Sequence, residues 1–284
     1  MTETEALLDH PRVHSCRTDL PDRNFSRIVS LVPSLSESLE VLGLGDRLVG
    51  VTEYCVHPQG AFDALPKLGG TKDADVRAII ELEPDLVIAN HEENTARSVR
   101  QLAEAGIDVW VTYPRTVREG AHLLRDMAGL GVAEALVERW VIPVERAVEV
   151  AMLRRAEGSA GRPKVFCPIW RDPWMTIGRE TYIHDMIELC GGENLFATLG
   201  TPAADRRYPI VDLEDVVRGQ PDVILLPDEP YAFDEADRKR MAEIDCPAAR
   251  DARIHLIDGT LVSWYGPRIA EAIRVLARIF ANRA

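Results

Sequence analysis

The chain has 284 residues, 46% of them hydrophobic and 28% charged, with a formal net charge of −13. That length exceeds one ordinary domain and suits two lobes of about 120 residues each. The acidic balance excludes a general nucleic-acid binder, which needs a basic face to neutralise phosphates. No run approaches the roughly 18 uninterrupted apolar residues of a membrane span.

In chain order, residues 1–25 are polar and broken by Pro and Asp, which predicts a loose arm. The stretch from Met1 to Pro11 has no basic n-region, apolar core or small-residue cleavage site, so its acidic start reads as cytoplasmic. An export segment ahead of it would instead imply a periplasmic or surface-anchored protein. Cys16, Cys55, Cys167, Cys190 and Cys246 are odd in number and form no Cys-x-x-Cys pair, which predicts reduced thiols.

Residues 26–131 predict a first α/β lobe. Arg27 to Val32 reads as a strand ended by Pro33, and Ser34 or Ser36 is the expected cap of a helix through Leu35, Leu39 and Leu42. Strands follow at Arg47–Val51, Asp85–Ala89 and Val109–Thr112, and helices at Val76–Leu82, Thr95–Ala105 and Val117–Met127. Residues 132–160 predict a helical spine with Leu136, Trp140, Val144 and Val148 on one stripe, kinked where Pro143 removes a hydrogen bond. Residues 161–284 predict a second α/β lobe that opens at Val165. Short apolar strands alternating with helices predict two Rossmann-like lobes with parallel central sheets, joined by one long rigid helix.

One unit occurs twice without a gap. Val76 to Asp85 leads through a buried strand to Glu92, and Leu213 to Asp222 leads likewise to Glu229, with Pro84 matching Pro221. Both acidic loops leave the carboxyl ends of strands, where open α/β sheets bind ligands.

The loops at such ends concentrate aromatic and polar residues. Tyr54, Trp170, Trp174 and Trp264 supply stiff walls for a planar or macrocyclic ligand. Asn90, His91, Glu92, Asp228 and Glu229 would orient its polar edges, and Arg171 and Arg268 would meet carboxylates or phosphates. Cys55 and His57 are candidate metal ligands, although their spacing matches no metal signature. No nucleophile elbow or phosphate loop is present: Gly69-Gly-Thr-Lys72 is only a fragment of one, and Leu48 replaces the third glycine after Gly43 and Gly45. These observations describe a binder with no assignable catalytic residue.

Ser30-Leu-Val-Pro-Ser-Leu-Ser-Glu37, Glu83 to Ala89, Cys190-Gly-Gly-Glu-Asn-Leu-Phe196 and Gly266-Pro-Arg-Ile269 stand in order around the central spine. In these residues, from about Arg27 to the C-terminus, the chain resembles the substrate-binding proteins of vitamin B12, haem and siderophore ABC importers. This class is also called the helical-backbone metal receptors, and the vitamin B12 binders are the nearest to it. The resemblance implies a ligand held between two lobes with little hinge motion. It places Tyr54, Thr71, Asn90, Trp174, Tyr208 and Trp264 on the lining of that cleft. Thr71 and Asn90 put polar groups where those binders use Trp, and Trp264 sits near where they use Arg. Glu214 matches the second-lobe acid that docks on the membrane permease, while Arg77 occupies the first-lobe place. The implied ligand is a corrinoid such as cobalamin, a siderophore-like molecule or another metal complex, and the implied partner is an ABC permease. Two alternatives remain: a receptor for a free transition metal or small polar organic ligand, and a cytoplasmic cofactor-handling enzyme on the same fold.

Overall fold

Runs of Val, Ile and Leu form strands buried on both faces in a computed structural model, which describes residues 10–158, 161–197 and 207–281. The first sheet contains β1 (Val13–His14), β2 (Ile28–Ser30), β3 (Leu48–Val51), β4 (Leu86–Asn90) and β5 (Asp108–Thr112). Its order is β1-β5-β4-β2-β3, with every neighbouring pair parallel. Helices α1 (Pro33–Val41), α2 (Val76–Glu81) and α3 (Ala96–Glu104) follow β2, β3 and β4. Val29, Val87 and Val109 pack with Ile79 of α2 and Leu102 of α3 in one apolar core.

After α4 (Val117–Ala128) and a helical segment ending in α5 (Ile142–Glu157), the second sheet begins. It contains β6 (Lys164–Phe166), β9 (Glu193–Asn194), β10 (Val223–Pro227) and β11 (Ile254–Ile257), again all parallel, in the order β11-β10-β6-β9. This repeats the order β5-β4-β2-β3. An antiparallel hairpin of β7 (Pro168–Trp170) and β8 (Met175–Thr176) is inserted after β6. Helices α6 (Tyr182–Leu189), α7 (Leu213–Gly219), α8 (Glu235–Ala242) and α9 (Ile269–Ala281) complete this half. Each parallel sheet lies in its own compact unit, and one of the places where the chain changes unit is Pro143.

The repeated Pro-Asp unit has one local geometry in both places. Glu83, shortly after α2, and Gln220, directly after α7, are left-handed with φ of 48° and 51°, and each is followed by proline. A residue before proline is pushed out of the helical region, so the helix must stop there. The Asp85 amide then donates to the Arg27 carbonyl (2.9 Å) and its carboxylate accepts from the Arg27 amide (3.0 Å). Asp222 makes the same exchange with Lys164, both bonds being 2.8 Å. Arg27 also donates to the carbonyls of Leu82 and Glu83, and Lys164 to that of Gly219, so a cation stands at each helix C-terminus.

Two local expectations are corrected, and the form of the helix around Pro143 is added. The expected arm is not loose from His10 onward, and residues 1–9 lie outside the described residues. Val13 and His14 add a strand to the edge of β5, because the buried Asp108 carboxylate bonds His14 Nε2 (3.0 Å), Arg23 (2.7 Å) and Arg12 (3.3 Å). Helix α1 is not capped by serine: Pro33 takes its first turn after Val32, with its fixed φ and missing N–H suited to that position. Ser34 and Ser36 are buried inside the helix instead. Upstream of Pro143 the chain forms a π turn over Val137–Val141, in which the Ile142 amide bonds the Val137 carbonyl. The wider turn absorbs the hydrogen bond that Pro143 cannot make.

Candidate functional site

In each parallel sheet all carboxyl ends lie along one edge. Strand order reverses between β2 and β4 in the first unit and between β6 and β10 in the second, and such a switch point opens a crevice.

In the first unit much of the polar chemistry at this edge holds the loops themselves. Asn90 ends β4, is 1% exposed, and its side-chain oxygen accepts the amides of Glu92 (2.8 Å) and Glu93 (3.3 Å). Its Nδ2 donates to Thr112. Asn94 accepts the Asn90 amide and donates to the carbonyls of Leu31 and Thr71, tying three loops together. Thr71 is half-buried in this network, and the Lys72 ammonium bonds the Glu92 carbonyl. Asn90 therefore acts as a scaffold for the half-buried His91 and Glu92. His91 packs on Tyr113 with ring centroids 4.4 Å apart. Tyr54 is 58% exposed and offers its ring to solvent.

Cys55 and His57 are not brought into a metal centre. The Cys55 thiol is buried 3.1 Å from Ser36 Oγ and 3.2 Å from Thr52 Oγ1, and burial pushes its pKa up against the help of those hydroxyls. A thiol so placed resists becoming the thiolate that a metal needs. His57 is half-buried. Among the described residues no group of three or more His, Cys, Asp or Glu is placed to hold a metal ion.

In the second unit four rings form a continuous ladder. Trp170, 46% exposed at the end of β7, meets Tyr231 edge to face at 5.5 Å. Tyr231 meets Phe233 at 4.7 Å, and Phe233 stacks on Trp174 at 5.9 Å and 3°. Trp174 belongs to the apolar core of this unit, whereas Trp170 stands at its surface. Arg171 pairs with the buried Asp237, which also closes the capping box of α8, and lies 5.5 Å from the Tyr231 ring centroid. Tyr208 is half-buried with the Arg207 guanidinium over its ring, and Glu214 is exposed on α7.

The loops after β10 and β11 are joined. Asp228 accepts the Gly259 amide at 2.7 Å, and Glu229 accepts from the Ser263 hydroxyl at 2.8 Å. Burial raises the Glu229 carboxyl pKa; the bonds from Ser263 and Trp264 oppose this, and Asp228 and Asp258 add to it. Trp264 is buried beneath the Arg268 guanidinium, which lies 5.1 Å from its ring and bonds Thr260. Sequence reasoning gave no role to Tyr113, Phe233, Asp237 or Asp258. Tyr113 could have been found because it directly follows β5, but Phe233 and Asp237 join the group only through folding.

Two parallel, doubly wound sheets with aromatic and polar loops at their carboxyl ends define an architecture of the periplasmic binding-protein type. Residues 28–244 match the family described as Periplasmic binding protein, and the chain belongs to that family. A vitamin B12-binding protein of Yersinia pestis is 30% identical over 207 residues, covering 73% of this chain and 71% of the relative. One from Vibrio parahaemolyticus is 24% identical over 247 residues, covering 87% and 86%. The solved periplasmic vitamin B12-binding protein of Vibrio cholerae matches with a TM-score of 0.77 at 24% identity, covering 90% of this chain and 97% of that one. A periplasmic heme-binding protein from Roseiflexus in its apo form matches with a TM-score of 0.74 at 27% identity, covering 90% and 98%. The expected two-lobed α/β class stands. The expected cytoplasmic location does not: family and solved relatives are periplasmic proteins, and the acidic start from Met1 carries no weight against them.

Proposed function

We propose that the chain is a substrate-binding protein whose ligand is a corrinoid, engaged by loops at the carboxyl ends of its parallel strands. The relationship to vitamin B12-binding proteins, reaching 30% identity over 73% of the chain, carries this reading. The exposed Tyr54 and Trp170 support it, since each presents a flat apolar face at a sheet's carboxyl end. His91 and Glu92 on the first unit, and Asp228 and Glu229 on the second, are the polar groups assigned to the ligand's amide and hydroxyl edges. Glu214 is the residue assigned to a membrane permease; its counterpart in the repeat, Arg77, is paired with Glu81 at 2.9 Å.

Titration with cobalamin, read by tryptophan fluorescence, tests the assignment, with Zn²⁺ as a control. Saturable quenching by cobalamin alone is the expected result, and no response to cobalamin rejects it. A second reading, haem, is supported by the Roseiflexus relative and by the His91–Tyr113 pair, both residue types that ligate haem iron. Saturation by haem with a new Soret band, and none by cobalamin, would select it.

A further inference from the structure

The second unit contains a cavity of about 310 Å³ that is separate from the carboxyl-end loops. The last two turns of α5 contribute Ala151, Arg154 and Arg155, and α6 contributes Glu188 and Leu189. Ile273 and Ala277 of α9 and Arg162 ahead of β6 also line it. Three guanidiniums at one cavity stand out in a chain with net charge −13.

The acceptors nearby are already used. Asp185 takes Arg155 on one oxygen (3.1 Å) and the Val117 amide on the other (2.8 Å). Glu188 takes Arg162 on one oxygen (2.7 Å) and the Asn194 amide on the other (3.1 Å), and the same Arg162 Nη2 also donates to the carbonyls of Glu188 (3.2 Å) and Gly192. Donors remain in excess. Arg162 Nε is buried with no hydrogen-bond partner. Arg154 is exposed, with no carboxylate partner among the described residues. Each guanidinium offers five N–H groups in a planar fork that fits carboxylate or phosphate oxygens two at a time. The helix C-termini by themselves favour nearby cations. They do not explain the unpartnered Arg162 Nε and the exposed Arg154 beside a cavity that Leu189, Ile273 and Ala277 also line.

From this arrangement we infer a second binding site, for a small organic anion: a carboxylate or phosphate head facing Arg154, Arg155 and Arg162, with a short apolar body against Leu189, Ile273 and Ala277. It is independent of the corrinoid reading, because none of these residues belongs to the loops assigned to that ligand.

The test titrates the full chain with hexanoate and with inorganic phosphate by calorimetry, with hexanol and hexylamine as neutral and cationic controls. Wild type and Arg154→Glu are compared, with a circular dichroism melt to show that both fold. Saturable binding of either anion, weakened by about tenfold or more in Arg154→Glu, is expected for the loss of a charge-assisted contact. Arg154→Lys should recover part of it, because it restores the charge without the fork. Failure of both anions to saturate the folded wild type overturns the inference. So does equal binding in Arg154→Glu, or hexanol binding as tightly as hexanoate. The cobalamin titration is unaffected by any of these outcomes.

Discussion

Asp85 and Arg27 exchange two backbone-anchored hydrogen bonds, and Asp222 and Lys164 make the same exchange in the other unit. The two clamps differ in load. Asp85 also accepts the amide and hydroxyl of Ser26, at 2.8 and 3.0 Å. Asp85→Ala should therefore destabilise by about 2–3 kcal/mol and Asp222→Ala by about 1 kcal/mol, given the usual worth of bonds to a charged acceptor. Urea denaturation of both variants checks the ranking.

Asp108 fastens the segment of residues 10–25. Its side chain is 3% exposed and joins His14, Arg12 and Arg23. Asp108→Ala would leave a buried imidazole without its partner, and about 3 kcal/mol should be lost. Hydrogen exchange over residues 10–25 should rise well before exchange over β2 and β4, because β1 is held by only two residues. Equal exchange in variant and wild type would contradict this.

Glu229 gives a pH dependence of definite sign. Its pKa is raised in the folded chain, chiefly by burial, so the native state favours the protonated acid. That contribution is fully present below the unfolded glutamate pKa and is lost as pH rises through the raised folded value. Glu229→Gln, which keeps an acceptor for Ser263 without the charge, should be more stable than wild type at neutral pH. The difference should vanish below the ordinary glutamate range. Melting curves across that range would show a flatter profile for the variant.

Trp170 and Trp174, four residues apart, should behave as opposites. Trp174→Ala removes a buried ring stacked on Phe233 and should cost about 3–5 kcal/mol of stability. Trp170→Ala removes a half-exposed ring and should change stability by only about 0.5 kcal/mol. Its expected effect is on cobalamin affinity instead, a loss of about tenfold, as for a truncated aromatic contact. Fluorescence titration and melting of the same two proteins separate the roles.

The legible part of the fold was its periodicity. Val, Ile and Leu runs followed by helical stripes marked β2, β4, β5 and β10, and the gapless match of Pro84-Asp85 to Pro221-Asp222 marked the repeat. Proline forces a helix to stop and aspartate can clamp a neighbouring strand, so this unit has a physical signature in one dimension. Strand β1 has none: Val13-His14 is too short to show alternation, and its partner Asp108 is remote in sequence. The loops suffered from the same limit. Composition marked Trp170 and Trp174 alike, yet only the closure of the hairpin after β6 sends one outward and the other into the core. Arg171 looked available for an anion until folding placed Asp237 beside it.

The parallel sense of β1 has a practical consequence for handling the protein. Because β1 runs alongside β5, the chain enters the first unit from the amino end of its sheet. An affinity handle or surface tether joined ahead of His10 would be attached at the end remote from Tyr54, His91 and Glu92. Immobilisation through that end should leave these loops facing the analyte, so a tethered sensor is the natural format for measuring what they capture.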